Sequence, residues 1–274
     1  MENTTSKRLN SFVANINLNS VIIAGISIIA VIIISFLAEG FFSLRNLSNL
    51  LYQVSALGLL VLGITPVIII GQLDLSLVAL MTVASIIGTL VIGNTGSIFL
   101  GIVVMLLLGA GIGAFHGFFV GKMKVVSFIV MNNHYIGRWV YSIGNNVNAS
   151  KLAGIPIETT IIFVFIFAGL MASVSGIVQS AKLGYASASM IRTGTLVNYI
   201  AAATIGGVSI SGGKGNLLNA VFGTFVIVII SNACTFLGVG YYENLIIKGA
   251  IIVVIVVLDN ISFDRFKTKI SMES

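Results

Sequence analysis

Residues 21–38 read Val21-Ile-Ile-Ala-Gly-Ile-Ser-Ile-Ile-Ala-Val-Ile-Ile-Ile-Ser-Phe-Leu-Ala38, eighteen positions without a charge. As a helix this run extends ~27 Å, close to the ~30 Å of a bilayer's hydrocarbon core. A secretory signal would carry an apolar stretch of only 7–15 residues behind Lys7 and Arg8, so a permanent span is expected. Strands of a membrane barrel alternate apolar and polar positions over ~10 residues. Val21–Ala38 and Ile246–Leu258 are instead unbroken, which selects helices.

The whole chain agrees with that stretch. Of its 274 residues 57% are hydrophobic and 8% charged, against about a quarter charged in a soluble domain. Thirty Gly with two Pro fit neither a disordered chain nor collagen. Seven further spans are expected, at Leu50–Ile70, Leu75–Ile92, Ile98–Val120, Thr160–Ala181, Val197–Ser211, Leu217–Leu237 and Leu245–Leu258. The fold class is therefore all-α and polytopic, with about eight transmembrane helices lodged in a lipid bilayer. Val197–Ser211 and Leu245–Leu258 are short, and the first is rich in glycine, so a broken or re-entrant segment is an alternative at each.

Charge sets the expected orientation. With the N-terminus inside, Lys7, Arg8, Lys122, Lys124, Arg138, Lys151, Lys214, Arg265, Lys267 and Lys269 fall in the cytoplasm, while Arg45, Lys182 and Arg192 fall outside. Lys248 lies near the outer end of the last span, within reach of the interface. This bias of basic residues toward one side places both termini in the cytoplasm. The net charge of +6 is not gathered into the dense basic surface that nucleic acid requires, so no nucleic-acid partner is expected. The organisation that follows is a cytoplasmic segment 1–20, a transmembrane domain 21–259 with a cytoplasmic loop 122–157, and a cytoplasmic tail 260–274.

Chemistry of the enzymatic kind finds no support in the pattern. The eight acidic residues form no close pair inside a span, and His116 and His134 lack the spacing of a metal site. Gly206–Gly215 has no Gly-x-x-x-x-Gly-Lys-Ser/Thr order. No catalytic residue, metal or cofactor is expected, and Cys234, lone in an apolar run, reads as a small packing residue.

What stands out is small residues in register and polar groups near the membrane. Gly109, Gly113, Gly117 and Gly121 recur every fourth position along one stripe, which lets a partner helix approach closely. Gln72, Asp74 and Ser76 lie between two spans. Asp74 is either a functional group at membrane depth or a carboxylate capping the next helix. The loop Ser142–Ile155 holds Asn146 and Asn148, either able to cap a short helix that Gly154 and Pro156 stop. Glu158 and Glu243 precede or begin spans, as dipole-compensating carboxylates do.

Four of these segments, in order from about residue 45 to 259, resemble motifs of the permease subunits of bacterial ABC importers for ribose, xylose and galactosides. Leu57–Thr65 leading into Gly71-Gln72-Leu73-Asp74-Leu75-Ser76 is similar to that family's Gly-Gly-Ile-Asp-Leu-Ser signature. Gly117–Ile129 resembles its Asn-Gly…Lys-x-x-x-Pro-Phe-Ile segment. Gly137-Arg138 with 142–155 resembles Gly-Arg-Tyr…Gly-x-Asn-x-x-Ala-x-Arg-x-x-Gly-Ile, and Ile200–Gly215 resembles Ile-Ala-Ala…Gly-Gly-x-Ser-x-x-Gly-Gly-x-Gly.

The resemblance implies a permease subunit in the bacterial plasma membrane, working as a homodimer or heterodimer. Its implied partners are a cytoplasmic ABC ATPase subunit, which hydrolyses ATP on a separate chain, and an extracytoplasmic sugar-binding protein. It assigns Asn146, Ala149, Lys151, Gly154 and Ile155 to ATPase coupling, with Val147 and Asn148 in place of the usual acidic residues. Gln72, Asp74 and Ser76 become substrate-pathway candidates. Gln72, Leu73 and Ser127 depart from the usual Gly, Ile and Pro.

The largest departure is a gap. Between Met131 and Asn132 the family carries roughly seventy further residues, enough for a hairpin of two ~20-residue spans. Val125–Met131 is seven residues, ~10 Å of helix, and cannot cross. Losing both spans keeps everything downstream in the same orientation. It also raises an alternative function: a transport-impaired remnant or regulatory membrane partner that still docks the ATPase. A self-powered secondary carrier would want titratable residues within its spans, and this chain has almost none. A reporter inserted beside His134 is expected to be reachable only from the cytoplasm; access from outside alone would invert the orientation.

Overall fold

The computed structural model describes residues 40–122, 135–190, 193–250 and 253. The expected first span, the stretch Val125–Met131, His134 and both termini lie outside the described residues, as does most of the last span beyond residue 250. Those that are described form helices: α1 (Leu44–Ile69), α2 (Leu77–Thr95), α3 (Ile98–Lys122), α4 (Tyr135–Asn145), α5 (Val147–Leu152), α6 (Ile157–Leu183), α7 (Thr193–Ile205) and α8 (Leu217–Phe236). A further helix, α9, runs over residues 241–250. The chain is thus all-α and polytopic, and among the described residues α1, α2, α3, α6 and α8 are long and apolar enough to cross a membrane.

Two long helices organise the bundle. The helix α6 packs against α1, α2 and α3, and α1 in turn packs against α7 and α8. The core lies between them, with Leu60, Val61, Ile64 and Ile68 of α1 and Ala168 and Ala172 of α6 essentially inaccessible. Lipid tails are as apolar as leucine, so burying such residues does not by itself draw helices together, and close backbone packing has to do so.

That packing is built on the glycine stripe. A Cβ on Gly113 would overlap the Phe165 carbonyl, one on Gly117 would stand 2.6 Å from Ile162 Cα, and one on Gly109 would lie 2.5 Å from the Gly169 carbonyl. The partner expected for the stripe is therefore α6 of the same chain, which supplies its own Gly169 at the crossing. On the opposite side of α3 a Cβ at Gly111 would meet nothing within 4 Å, and Leu107, Phe115 and Phe119 are exposed. Polar groups in the spans bond locally or across: Thr65, Thr82 and Ser85 donate to carbonyls four residues back, and Ser175 Oγ donates to the Ala56 carbonyl at 2.7 Å, joining α6 to α1.

One expected span has other bounds. The helix expected over Val197–Ser211 is α7, which covers thirteen residues, ~20 Å, and ends at Ile205. The chain then reverses through Gly206 and Gly207 and folds a turn-rich segment back against the bundle, with Val208 buried. Glu158 lies in the first turn of α6, as expected.

Gly113→Ala is expected to destabilise the chain by ~1–3 kcal/mol, the cost of overpacking a filled contact. Gly111→Ala, one helical face away, is expected to be neutral or stabilising by ~0.5–1 kcal/mol. Thermal unfolding of the two variants in detergent checks the contrast, and equal effects would remove the α3–α6 contact from its role.

Candidate functional site

Three groups of residues have the geometry of sites, and α1 connects them. At one end of the bundle α4 and α5 form a projecting knob. The helix α4 buries Val140 and Ile143 and leaves Arg138 exposed. It runs to Asn145, so the expected loop 142–155 begins within a helix. Asn146 then breaks the chain in an extended conformation, and its Oδ1 accepts the Ala149 amide at 3.0 Å, the N-cap of α5.

The end of α5 is equally defined. Gly154, at φ +75°, donates to the Lys151 carbonyl at 3.1 Å, and Ile155 N–H reaches back to Ser150 at 3.1 Å. This is the left-handed closure that glycine adopts without strain. Of the five residues expected to couple to an ATPase, Asn146 and Gly154 make the caps. Ala149 and Lys151 lie exposed on the one turn between them, and Ile155 is half-buried beneath. Val147 and Leu152 are also exposed, Leu152 to 90%, although neither is a residue that the motif singles out.

Behind the knob three chain segments meet backbone to backbone. The Gly213 N–H donates to the Ile69 carbonyl at 2.5 Å, and a Cβ on Gly144 would overlap that same carbonyl and stand 2.6 Å from Gly213 N. Tyr141 donates its hydroxyl to the Gly215 carbonyl at 2.6 Å. Burial pushes that phenol above its ordinary value, which keeps its proton available for the bond. The end of α1, the end of α4 and the 206–215 segment are thereby one joint.

Asp74 and Ser76 lie beside this joint, in the connection from α1 to α2. Asp74 is buried, and its Oδ1 accepts the Ser76 amide at 2.8 Å and the Ser76 hydroxyl at 2.5 Å. Because that hydroxyl is donated to the carboxylate, the oxygen is left to accept from His116 Nδ1 of α3, 3.2 Å away. Tyr199 of α7, fully buried, donates to the Asp74 carbonyl at 2.9 Å. The N-cap of α2 is Ser76 rather than Asp74; the Asp74 carboxylate holds Ser76, whose hydroxyl meets α3, while the Asp74 backbone carbonyl meets α7. Ser76, itself bonded to Asp74, links His116 to that carboxylate across forty residues of sequence. The arrangement is not that of an activated nucleophile, in which histidine stands between serine and carboxylate. Gln72 is half-buried nearby, and a hydrogen bond from its amide N–H to the Val67 carbonyl helps end α1.

The third group sits at the other end of α1, where the motifs gave no signal. A cavity of about 650 Å³ opens between the start of α1, the start of α7, the end of α8, and α9. Asn46, Asn49 and Gln53 face it from α1, Asn198 from α7, and Asn244 and Lys248 from α9. Asn46 and Asn232 exchange two amide hydrogen bonds at 2.9 Å across α1 and α8. Lys248 is 5% exposed and lines the cavity. None of Gln72, Asp74 and Ser76 is on the lining. The signal available in the sequence was the i, i+3, i+7 spacing of three amides on an otherwise apolar helix.

Comparison with known proteins places these features in context. A family model described as branched-chain amino acid transport system / permease component matches residues 125–256. The ribose import permease protein of Escherichia coli K12 is 26% identical over 85% of this chain and 91% of its own length. That of Bacillus subtilis 168 is 27% identical over 84% and 89%. The xylose transport system permease protein of E. coli K12 is 38% identical over 45% of this chain and 31% of its own. No solved structure matches. The chain is therefore similar, along most of its length, to sugar importer permeases. The match to the E. coli ribose permease spans 293 positions, yet 85% of 274 residues is about 233, so roughly sixty of those positions face no residue here.

Proposed function

We propose that this chain is the membrane-spanning permease subunit of an ATP-driven importer for a pentose or related sugar. It takes substrate from an extracytoplasmic sugar-binding protein and pairs with a second permease copy. Its knob docks a separate cytoplasmic ATPase through Val147, Lys151 and Leu152. The observation that carries the reading is the knob itself, a one-turn helix capped at both ends and held clear of the bundle, in a chain similar to sugar permeases over most of its length.

The mechanical logic is short. Force applied to α5 passes into α4, and from α4 into the joint at Gly144, Ile69 and Gly213, where no side chain lies between the backbones to absorb it. From there it enters α1 and, through the 206–215 segment, α7. Both helices border the cavity at the far end. A rigid-body movement driven by ATPase closure is thereby converted into movement of the walls of a polar compartment.

A second reading has its own support. The roughly sixty positions of the E. coli ribose permease without a counterpart are about the length of two spans and a loop. On that reading the chain docks an ATPase but transports poorly by itself.

Leu152→Glu tests the docking. Since Leu152 touches almost nothing, the substitution is expected to leave folding unchanged. It is expected to reduce copurification of the partner ATPase at least tenfold, about 1.4 kcal/mol or more. Unchanged copurification would sink the docking role, with Gly154→Arg as a second, more disruptive variant. Ribose or xylose uptake by the 274-residue chain with its ATPase separates the two readings. Full uptake removes the impaired one, and uptake only after a hairpin is inserted between Met131 and Asn132 establishes it.

A further inference from the structure

Two cations open onto the cavity at the start of α1, and neither has a counter-charge there. Arg45, on the first turn of α1, is exposed, whereas Lys248 of α9 is almost wholly buried; both are on the lining. Neither makes a hydrogen bond or an ion pair with a described residue. Among the described residues no carboxylate lines the space. Glu243 is exposed, lies close to Gly240 and pairs with neither cation. The backbone adds charge of the same sign. The starts of α1, α7 and α9 all border the cavity, against the single C-terminal end of α8, and each start carries roughly half a positive charge. An ammonium buried without a partner is costly. The space beside it, about 650 Å³, is of a size usual for small-molecule sites.

The charges and donors select the occupant. A metal cation would be repelled, and an acyl chain or a neutral polyol would leave both cations uncompensated. An oxyanion offers acceptors alone and neutralises charge, taking two parallel N–H bonds from the planar guanidinium of Arg45 and a compact charge from Lys248. Further donors face it. Tyr241 accepts the Gly194 amide at 3.2 Å on its hydroxyl oxygen, so its own hydrogen remains to be given. The Asn49 and Gln53 amides have no described partner, whereas Asn46 already spends both amide hydrogens on the Phe41 carbonyl and Asn232. These donors arrive from α1 on one side and α9 on another. A planar carboxylate meets one direction well, and the tetrahedral oxygens of a phosphate meet several.

We propose that the cavity is a binding site for a phosphate group, held between Arg45 at its open side and Lys248 at its floor, with Tyr241, Asn49 and Gln53 donating around it. Two sources share that chemistry, a phospholipid headgroup and a small free phosphate. The helix α1 extends ~39 Å against ~30 Å of hydrocarbon, so its first turn lies at headgroup depth, within reach of both. The site is independent of the permease reading and of the transported substrate.

Thermal unfolding of the full chain in an uncharged, phosphate-free maltoside detergent tests it. Sodium phosphate or dioleoylphosphatidylglycerol is expected to raise the unfolding temperature in a saturable way. Sodium chloride and sodium acetate at equal ionic strength are expected to give no saturable rise. A rise with the lipid alone assigns the site to a headgroup, with inorganic phosphate alone to a soluble phosphate, and with both to the shared group. No rise with either overturns the site, and acetate as effective as phosphate overturns the ligand class.

Variants locate the effect. Arg45→Gln is expected to leave the unliganded protein unchanged, because the side chain is exposed. Lys248→Met is expected to hold or raise its stability, since an unpaired buried charge gives way to an apolar chain of similar length. In each, the half-saturating phosphate concentration is expected to rise at least about tenfold. Arg45→Glu, which leaves the interior untouched, is expected to abolish the rise altogether. Half-saturation unchanged in Arg45→Gln and Lys248→Met, or a full rise in Arg45→Glu, places the bound phosphate elsewhere and overturns the assignment. Sugar uptake enters none of these measurements, so their failure leaves the permease reading standing.

Discussion

The structure depends on bringing backbones together in a medium that gives apolar side chains no reason to leave it. In water the contact of α3 with α6 would be driven by burial. In lipid it has to be gained from dispersion and from backbone polar groups at short range, which only the absence of side chains permits. Gly109, Gly113 and Gly117 do this against Gly169 and Phe165, and Gly144 and Gly213 do it again around the Ile69 carbonyl. The first contact sets the bundle and the second sets the joint behind the knob. A chain of 30 glycines spends several of its best-placed ones on these two crossings.

Between them runs α1, whose two ends have different tasks. Its last turn delivers Ile69 to the joint, closed by Gly71 in the left-handed conformation, and its first turns present Asn46, Asn49 and Gln53 to the cavity. The helix measures ~39 Å over 26 residues, so whatever displaces one end is felt at the other as long as the rod stays intact. Pro66 sits inside it near the joint, buried, and frees the Leu62 carbonyl about two turns from the end.

What could be read from the chain was what is local along it. The four-residue spacing of glycines, the capping asparagine at Asn146 and the stop at Gly154 depend on neighbours a turn away, and each is where the pattern put it. The bounds of Val197–Ser211 were misplaced because hydropathy adds across Gly206–Gly207, where the helix closes. The joint was illegible for a different reason: about seventy residues separate Ile69 from Gly144 and Gly144 from Gly213, and nothing in any one of them announces the other two. A separation of forty residues likewise hid His116 from Ser76. The cavity occupies a middle ground. Its amides were visible on one face of α1, but their meaning depended on Asn198, Asn232 and Asn244 arriving from three other helices.

The knob has a property of a different order. Its shape is secured from within, by Asn146 holding Ala149 and by Ile155 reaching Ser150, so that the residues between can change without disturbing the neck beneath. On the docking role proposed above, such a subunit can trade one motor for another by altering two or three surface positions, and Val147 and Asn148, where the motif it resembles has acids, are positions of that sort. The lineage of such a subunit need not follow the lineage of the engine that drives it.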